Sequence, residues 1–226
     1  ARALVGTPEL LLLDEPFSAL DTEARPSLRR TLAALLRERA ITTVLVTHDP
    51  VDARLLGDLV GVLDGGRLLQ AGPPPQVFER PADLPTARLA GVDNLWPLQV
   101  LSQSRLGAQD ALSLGFEAKP VLDWRGTLPA GAELRAGTQV TLAVRAEAVH
   151  PCPASTLVTQ DDDCLTLTAY LIEARCEGPL WRLRCALPCG LEAQTYALPT
   201  LWRELALEIG SPLGLRIRQA DLHLLV

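Results

Sequence analysis

Short apolar runs alternate with stretches of helical spacing through the first third of the chain, the pattern of an α/β layer whose parallel strands are buried. Residues 10–13 are four consecutive leucines and predict the first strand. Asp21 stands where it can cap a helix whose Leu28, Leu32, Leu35 and Leu36 share one face, with Pro26 tolerated near its start and an end near Ala40. The β-branched and apolar run 42–46 predicts a second strand that delivers Thr47, His48 and Asp49 at its C-terminal end. A short helix over 51–56 follows. Then 60–63 and 67–70 flank Asp64, Gly65 and Gly66, a hairpin signal because glycine supplies the positive φ of a tight turn.

Gly72 and the three prolines 73–75 break regular structure, and 75–89 predicts one helical stretch leading to Gly91. The domain boundary is placed there, giving an α/β part over 1–90 and a β part over 91–226. Beyond it, short alternating runs punctuated by Gly and Pro predict a small barrel or sandwich. This second part repeats itself. Gly137, Val140, Leu142, Val144, Arg145, Val149 and His150 match Gly210, Leu213, Leu215, Ile217, Arg218, Leu222 and His223, each pair 73 positions apart. One supersecondary unit used twice explains this.

Composition narrows the classes. With 48% apolar and 21% charged residues the chain reads as globular. A net charge of -6 argues against gripping phosphate backbones, so no nucleic-acid partner is expected. No apolar run approaches the roughly 20 residues of a membrane span, so a membrane role would pass through a partner. The five cysteines include no C-x-x-C pair and read as reduced thiols. Trp96, Trp124, Trp181 and Trp202 read as packing, and Asp161, Asp162 and Asp163 as a solvated turn. There is no Met, and residue 1 falls in a helical pattern, so the sequence reads as a piece of a longer chain.

The chemistry concentrates in Asp14-Glu15-Pro16, Ser18-Ala19-Leu20-Asp21 and Thr47-His48-Asp49. A carboxylate ending a buried apolar strand is held rigidly at the ligand-binding edge of a sheet, where it can orient a Mg²⁺ ion on terminal phosphates. A second carboxylate beside it can face an attacking water. Phosphoryl transfer asks mainly for positioning and charge stabilisation, so a metal-holding acid, a water-polarising acid and a γ-phosphate-contacting imidazole make a working set. Asp14, Glu15 and His48 can fill these roles, in that order.

At these residues the chain resembles the ABC ATPase family from just past its LSGGQ helix through the Walker B strand, the D-loop and the switch histidine. The resemblance makes Asp14 the Walker B aspartate, Glu15 the catalytic base and His48 the H-loop residue. It places Asp21 in the D-loop at a dimer interface, and counts Ser18 and Asp21 with Asp14 among the nucleotide-binding residues. The run Gln70-Ala71-Gly72-Pro73, with Phe78, Pro81, Ala87, Gly91 and Asn94, resembles the passage of importer ATPases into a TOBE domain built on an OB-like barrel. The implied fold is thus the C-terminal part of a P-loop NTPase (ABC cassette) followed by an all-β OB-like domain.

By the same resemblance the cofactors are ATP and Mg²⁺, and the activity is ATP hydrolysis coupled to transport. The partners are a second ATPase subunit, an integral membrane permease and an external substrate-binding protein, with the chain on the cytoplasmic face of the membrane. The implied cargo is an inorganic anion or metal ion (molybdate, tungstate, sulfate or ferric ion), with polyamines or sugars as the alternative. A phosphate-gripping loop needs Gly-rich backbone followed by Lys and Ser or Thr. Lys119, the only lysine, precedes Pro120 and follows no such loop. The LSGGQ motif is missing too, so this sequence alone is expected not to turn ATP over. A different reading makes the chain a non-catalytic regulator whose β part binds an oxyanion. Arg145 and Arg218 would then line the pocket; the plainer account pairs each with a nearby acid such as Glu147 or Asp221.

Overall fold

The computed structural model describes residues 8–21, 23–106, 109–117, 119–128, 134–155 and 163–226. The chain divides into two compact units, Ala1–Gly91 and Val92–Val226. The helical reading of the first four residues, and Asp161 and Asp162 of the acidic run, lie outside the described residues.

The first unit opens with β1 (Leu10–Asp14), α1 (Arg25–Arg39), β2 (Thr42–Val46) and α2 (Pro50–Leu56). β1 and β2 pair in parallel, with Leu10 opposite Thr42 and Asp14 opposite Val46. This register brings the residues that follow both strands to one end of the pair. The hairpin of β3 (Val60–Asp64) and β4 (Arg67–Gly72) turns on Gly65 and Gly66, whose φ values of 52° and 77° lie in the left-handed region that glycine enters without steric cost. The unit closes with α3 (Pro74–Glu79) and α4 (Leu84–Leu89).

Three expectations are corrected. α1 begins at Arg25 with Ala24 at its cap position and no side-chain cap; Asp21 lends only its backbone carbonyl, accepting from Arg25 N at 3.2 Å. Pro26 inside the first turn makes a side-chain cap less pressing, because it has no N–H to satisfy. The inward face of α1 is also only partly the leucine stripe: Leu28 is exposed, Leu32, Leu35 and Leu36 are half-buried, and the fully buried residues are Arg29 and Ala33. Finally, 75–89 is two helices. Pro81 interrupts the run, and Asp83 caps α4 by accepting from Thr86 N at 2.8 Å. Gln70 closes the break, accepting from Ala82 N at 2.8 Å and donating to Arg80 O at 3.2 Å.

Parallel strands ordinarily bury both faces. Here Leu10, Leu12, Val44 and Val46, alternate residues of β1 and β2, are all at least half exposed, whereas Leu11 is buried. A cavity of about 990 Å³ is lined in part by Thr42, Thr43, Leu45 and Val46 of β2 and by β3 from Val60 to Leu63.

The second unit begins with β5 (Asn94–Leu106), β6 (Gln109–Phe116), β7 (Lys119–Gly126), β8 (Gln139–Val144) and β9 (His150–Cys152). After β10 (Cys164–Glu177), β11 (Leu180–Ala186) and β12 (Glu192–Ala197) come a short helix α5 (Pro199–Glu204), β13 (Pro212–Arg218) and β14 (His223–Leu225). The described strands form two five-stranded sheets, ordered β14-β8-β5-β6-β7 and β12-β11-β10-β13-β9. Their facing sides supply the core, including Trp96, Leu98, Leu114, Leu142, Leu171, Leu183, Leu215 and Ile217.

The repeat seen in sequence has a structural counterpart. β8 and β13 each run into a single helical turn, Ala146–Ala148 and Gln219–Asp221. Each chain segment then crosses over: β9 pairs with β13, and β14 pairs with β8. The two repeats therefore exchange their last strands. The corners are tied reciprocally as well. Val149 O accepts the Thr195 hydroxyl from β12, and Leu222 O accepts Trp124 Nε1 from β7 at 3.3 Å. Asn94 adds a clamp, donating to Gln194 O at 3.0 Å and accepting from Gln194 N at 2.6 Å, so a side chain completes what a strand would do at that edge.

Candidate functional site

Strand β1 ends at Asp14, and the chain turns sharply at Glu15, whose φ of 44° lies in the left-handed region that non-glycine residues seldom occupy. Three bonds hold this turn. Glu15 N donates to Val46 O at 2.9 Å, and Ser18 N and the Ser18 hydroxyl both donate to Glu15 O, at 3.2 and 2.9 Å. The turn thereby aims the Glu15 side chain across the end of β2. There it meets His48, with Nδ1 2.8 Å from Glu15 Oε1. An ionised carboxylate only accepts, so Nδ1 carries the proton and donates, leaving Nε2 free. The His48 side chain is 80% exposed, so that free nitrogen is open to a ligand.

The other residues singled out in sequence stand as follows. Asp14 lies at the same strand end, exposed, and its side chain makes no hydrogen bond or ion pair among the described residues. Ser18 spends its hydroxyl on Glu15 O, and Asp21 is exposed. Arg145 and Arg218 belong to the other unit. Arg218 holds Asp221 with both ends of its fork, at 2.7 and 3.2 Å, and Arg145 Nη1 lies 3.9 Å from Glu147. The Asp221 carboxylate raises the Arg218 guanidinium above its ordinary pKa.

A second layer escaped the sequence reading. Arg29 of α1 reaches Asp52 through Nε and Asp49 through Nη2, the latter at 2.5 Å. Asp52 is buried and also accepts the Thr47 hydroxyl at 3.1 Å, while Asp49 N donates to the same hydroxyl at 3.0 Å. Burial acts to raise the Asp49 carboxyl, but the Val51 amide and the Arg29 guanidinium outweigh it and hold it below its usual value. Arg29 sits on the face shared with Ala33. A charged residue at that helical position, next to the pair of aspartates at 49 and 52, was the available signal.

No protein-family model matches the chain. Curated proteins do. The Fe(3+) ions import ATP-binding protein FbpC of Pseudomonas fluorescens is 48% identical over 110 residues, 47% of this chain and 31% of that protein. The protein FbpC 2 of Rhodococcus jostii, of the same description, is 52% identical over 91 residues, 40% of this chain and 26% of that protein. The spermidine/putrescine import ATP-binding protein PotA of Methylococcus capsulatus is 32% identical over 220 residues, 96% of this chain and 52% of that protein. The chain is a homologue of the ATP-binding subunits of ABC importers. It spans about half or less of the length of the relatives it matches.

Among solved structures, the cytoplasmic molybdate-binding protein ModG, with molybdate bound, superimposes with a TM-score of 0.52 at 19% identity, over 60% of this chain and 97% of that one. The likeness is one of fold. An importer-type cassette portion followed by an OB-like β domain of the TOBE kind is therefore the architecture of this homologue. Among the described residues no helix is long and apolar enough to cross a membrane.

Proposed function

We propose that the chain is the C-terminal portion of the ATP-hydrolysing motor subunit of an ABC importer, with Glu15 as the catalytic base and His48 as the γ-phosphate contact. The observation that carries this reading is the Glu15–His48 pair at the shared end of two parallel strands, beside a free Asp14. A carboxylate fixed by an imidazole is oriented toward one side, where it can accept a proton from an attacking water. With a proton on both ring nitrogens, as an imidazolium beside the Glu15 carboxylate, His48 can donate from its open Nε2 to a terminal phosphate oxygen.

Asp14 fits the single carboxylate that a phosphate-bound Mg²⁺ needs, because that ion keeps most of its shell for water and phosphate oxygens. Bound there, Mg²⁺ would neutralise charge on the terminal phosphates. The uncovered leucines and valines of β1 and β2 and the neighbouring cavity support a cassette completed by further residues of the parent protein. Those residues would supply the phosphate-gripping loop, and Ser18 and Asp21 would face the nucleotide of a partner subunit. The working assembly is two such subunits beneath a membrane permease on its cytoplasmic side, fed by an external binding protein.

For cargo we take ferric ion or an oxyanion first, on the 48 to 52% identity to the iron-import proteins. Polyamine is the second reading, because the PotA match extends over 96% of the chain. In the β unit, Arg145 and Arg218 act as corner pins through Glu147 and Asp221 rather than as an anion pocket. Titration of the chain with molybdate, sulfate and ferric ion is expected to show no binding at millimolar concentration.

The test is the intact subunit with its permease in vesicles. ATP-dependent uptake of radiolabelled ferric ion is expected, with putrescine and molybdate as comparators. An intact subunit that releases no phosphate from ATP, with or without permease, ends the motor reading.

A further inference from the structure

His48 has little of its own to hold it. Its side chain is 80% exposed, and the partner it has among the described residues is Glu15. Where the imidazole points therefore depends on the backbone on either side of it. Both flanking residues are fastened by their side chains. Thr47 donates to Asp52 at 3.1 Å and accepts from Asp49 N at 3.0 Å; Asp49 accepts from Val51 N at 2.8 Å and from Arg29 Nη2 at 2.5 Å. Asp52, only 3% exposed, is bonded in turn by Arg29 Nε.

Arg29 also reaches the other side of the site. Its guanidinium carbon lies 5.9 Å from the centre of the Phe17 ring, and Phe17 is a buried residue two positions after Glu15. One turn earlier on α1, Arg25 Nη2 donates to Leu20 O at 3.1 Å, and its Nη1 lies 4.0 Å from Asp49. The segment carrying Glu15 and the segment carrying His48 are thus gripped by one helix face.

We propose that Arg29 is a positioning residue: it fixes the segment that carries His48 against the segment that carries Glu15, and so sets the distance between imidazole and carboxylate. This rests on the reading of Glu15 and His48 as the hydrolytic pair. Its chemistry suits an arginine. The planar fork meets two carboxylates at once, whereas a lysine ammonium is a point charge that would leave one of them unmet. Stability alone does not call for such a residue, since apolar side chains of similar volume often replace buried ion groups without loss. What an apolar set would not do is tie three segments of chain in one register.

The test compares Arg29→Lys, His48→Ala and the double variant in the intact subunit, reading kcat and KM for ATP. In parallel, the imidazole Nδ1–H resonance of His48 is followed by NMR in the chain described here. Arg29→Lys is expected to lower kcat at least tenfold with KM within twofold, to shift the Nδ1–H resonance, and to cost nothing further once His48 is alanine. A kcat within twofold of the parent, losses that multiply in the double variant, or an unmoved resonance would each overturn the assignment. Because the lysine keeps the charge, a folded variant is expected; should it unfold, Asp52→Asn, which loosens the same strut while leaving the arginine in place, is read by the same two measurements. If the unsubstituted intact subunit hydrolyses no ATP, the motor reading fails on its own, and the resonance still decides the role of Arg29.

Discussion

Glu15 and His48, 33 positions apart in the chain, meet at 2.8 Å because β1 and β2 pair in parallel with Asp14 opposite Val46. The contact makes a first prediction. In the intact subunit, Glu15→Gln keeps the shape and the acceptor oxygen but loses the charge that would take a proton from water. Hydrolysis is expected to fall by about 100-fold or more, the usual scale for removing a general base, while ATP binding stays within about twofold. Phosphate release and nucleotide binding, measured side by side, separate the two. A glutamine variant that turns over at the parent rate would remove Glu15 from the chemistry.

The second prediction concerns two glycines of the repeat. Gly137 and Gly210 occupy equivalent places before β8 and β13, with φ of 94° and 90°. A Cβ at Gly210 would meet nothing within 4 Å, so Gly210→Ala should show the backbone cost alone, about 1 to 2 kcal/mol. Gly115 is the contrast. A Cβ there would come 2.7 Å from Lys119 O and 2.8 Å from Leu101 Cδ1, in a strand rather than a turn. Gly115→Ala is expected to lose more stability than Gly210→Ala in urea unfolding. The opposite order would show that the left-handed backbone, not crowding, limits this unit.

What the sequence revealed, and what it concealed, follows from the range of each interaction. Strands β1 and β2, the Gly65-Gly66 hairpin and the alternation in β8 and β13 are written locally, as runs, turn residues and period-two spacing. The 73-residue repeat was legible because its buried positions recur in register. The exchange of β9 and β14 between sheets was not, since a strand of three residues carries no mark of which neighbour it joins. Arg29 was overlooked for a different reason. Hydrophobic periodicity sorts leucine inward and arginine outward, so it favoured Leu28 and Leu35. Burial here was decided by two aspartates some twenty residues further along. The site was half visible for the same reason: the carboxylates and the imidazole stand out as motif residues, but the side chains that orient them gain meaning only in three dimensions.

A third prediction uses the thiols. Cys185 lies fully buried in the core of the β unit, and burial pushes its thiol up to about 12. It stays protonated and screened at neutral pH, hence unreactive. Cys176, near the turn between β10 and β11, is exposed, its Sγ 3.7 Å from Gly178 O. Brief treatment with iodoacetamide at pH 8, followed by peptide mass spectrometry, should label Cys176 and leave Cys185 unmodified until denaturant is added. Equal labelling of both in the native chain would contradict the packing of β11 against its neighbours.

The last prediction turns on Asp49. Its carboxyl is held below its ordinary value because the Val51 amide and the Arg29 guanidinium more than offset the effect of burial. A group depressed in the folded state adds stability that is complete above its unfolded pKa, about 3.9 for aspartate, and is lost as the pH falls through the folded value. The stability of the first unit should therefore decline below about pH 4, and Asp49 should account for part of that slope. Asp49→Asn tests this cleanly, since asparagine can still cap α2 by accepting from Val51 N while the charge toward Arg29 is gone. The variant should be less stable than the parent at pH 7 and should lose less on acidification, so that the two curves converge toward pH 2. Asp83 is lowered independently by its bonds to Thr86, so some acid sensitivity should persist in the variant. Urea unfolding across the pH range provides the measurement, and parallel curves for parent and variant would show that the Arg29–Asp49 contact contributes no proton linkage.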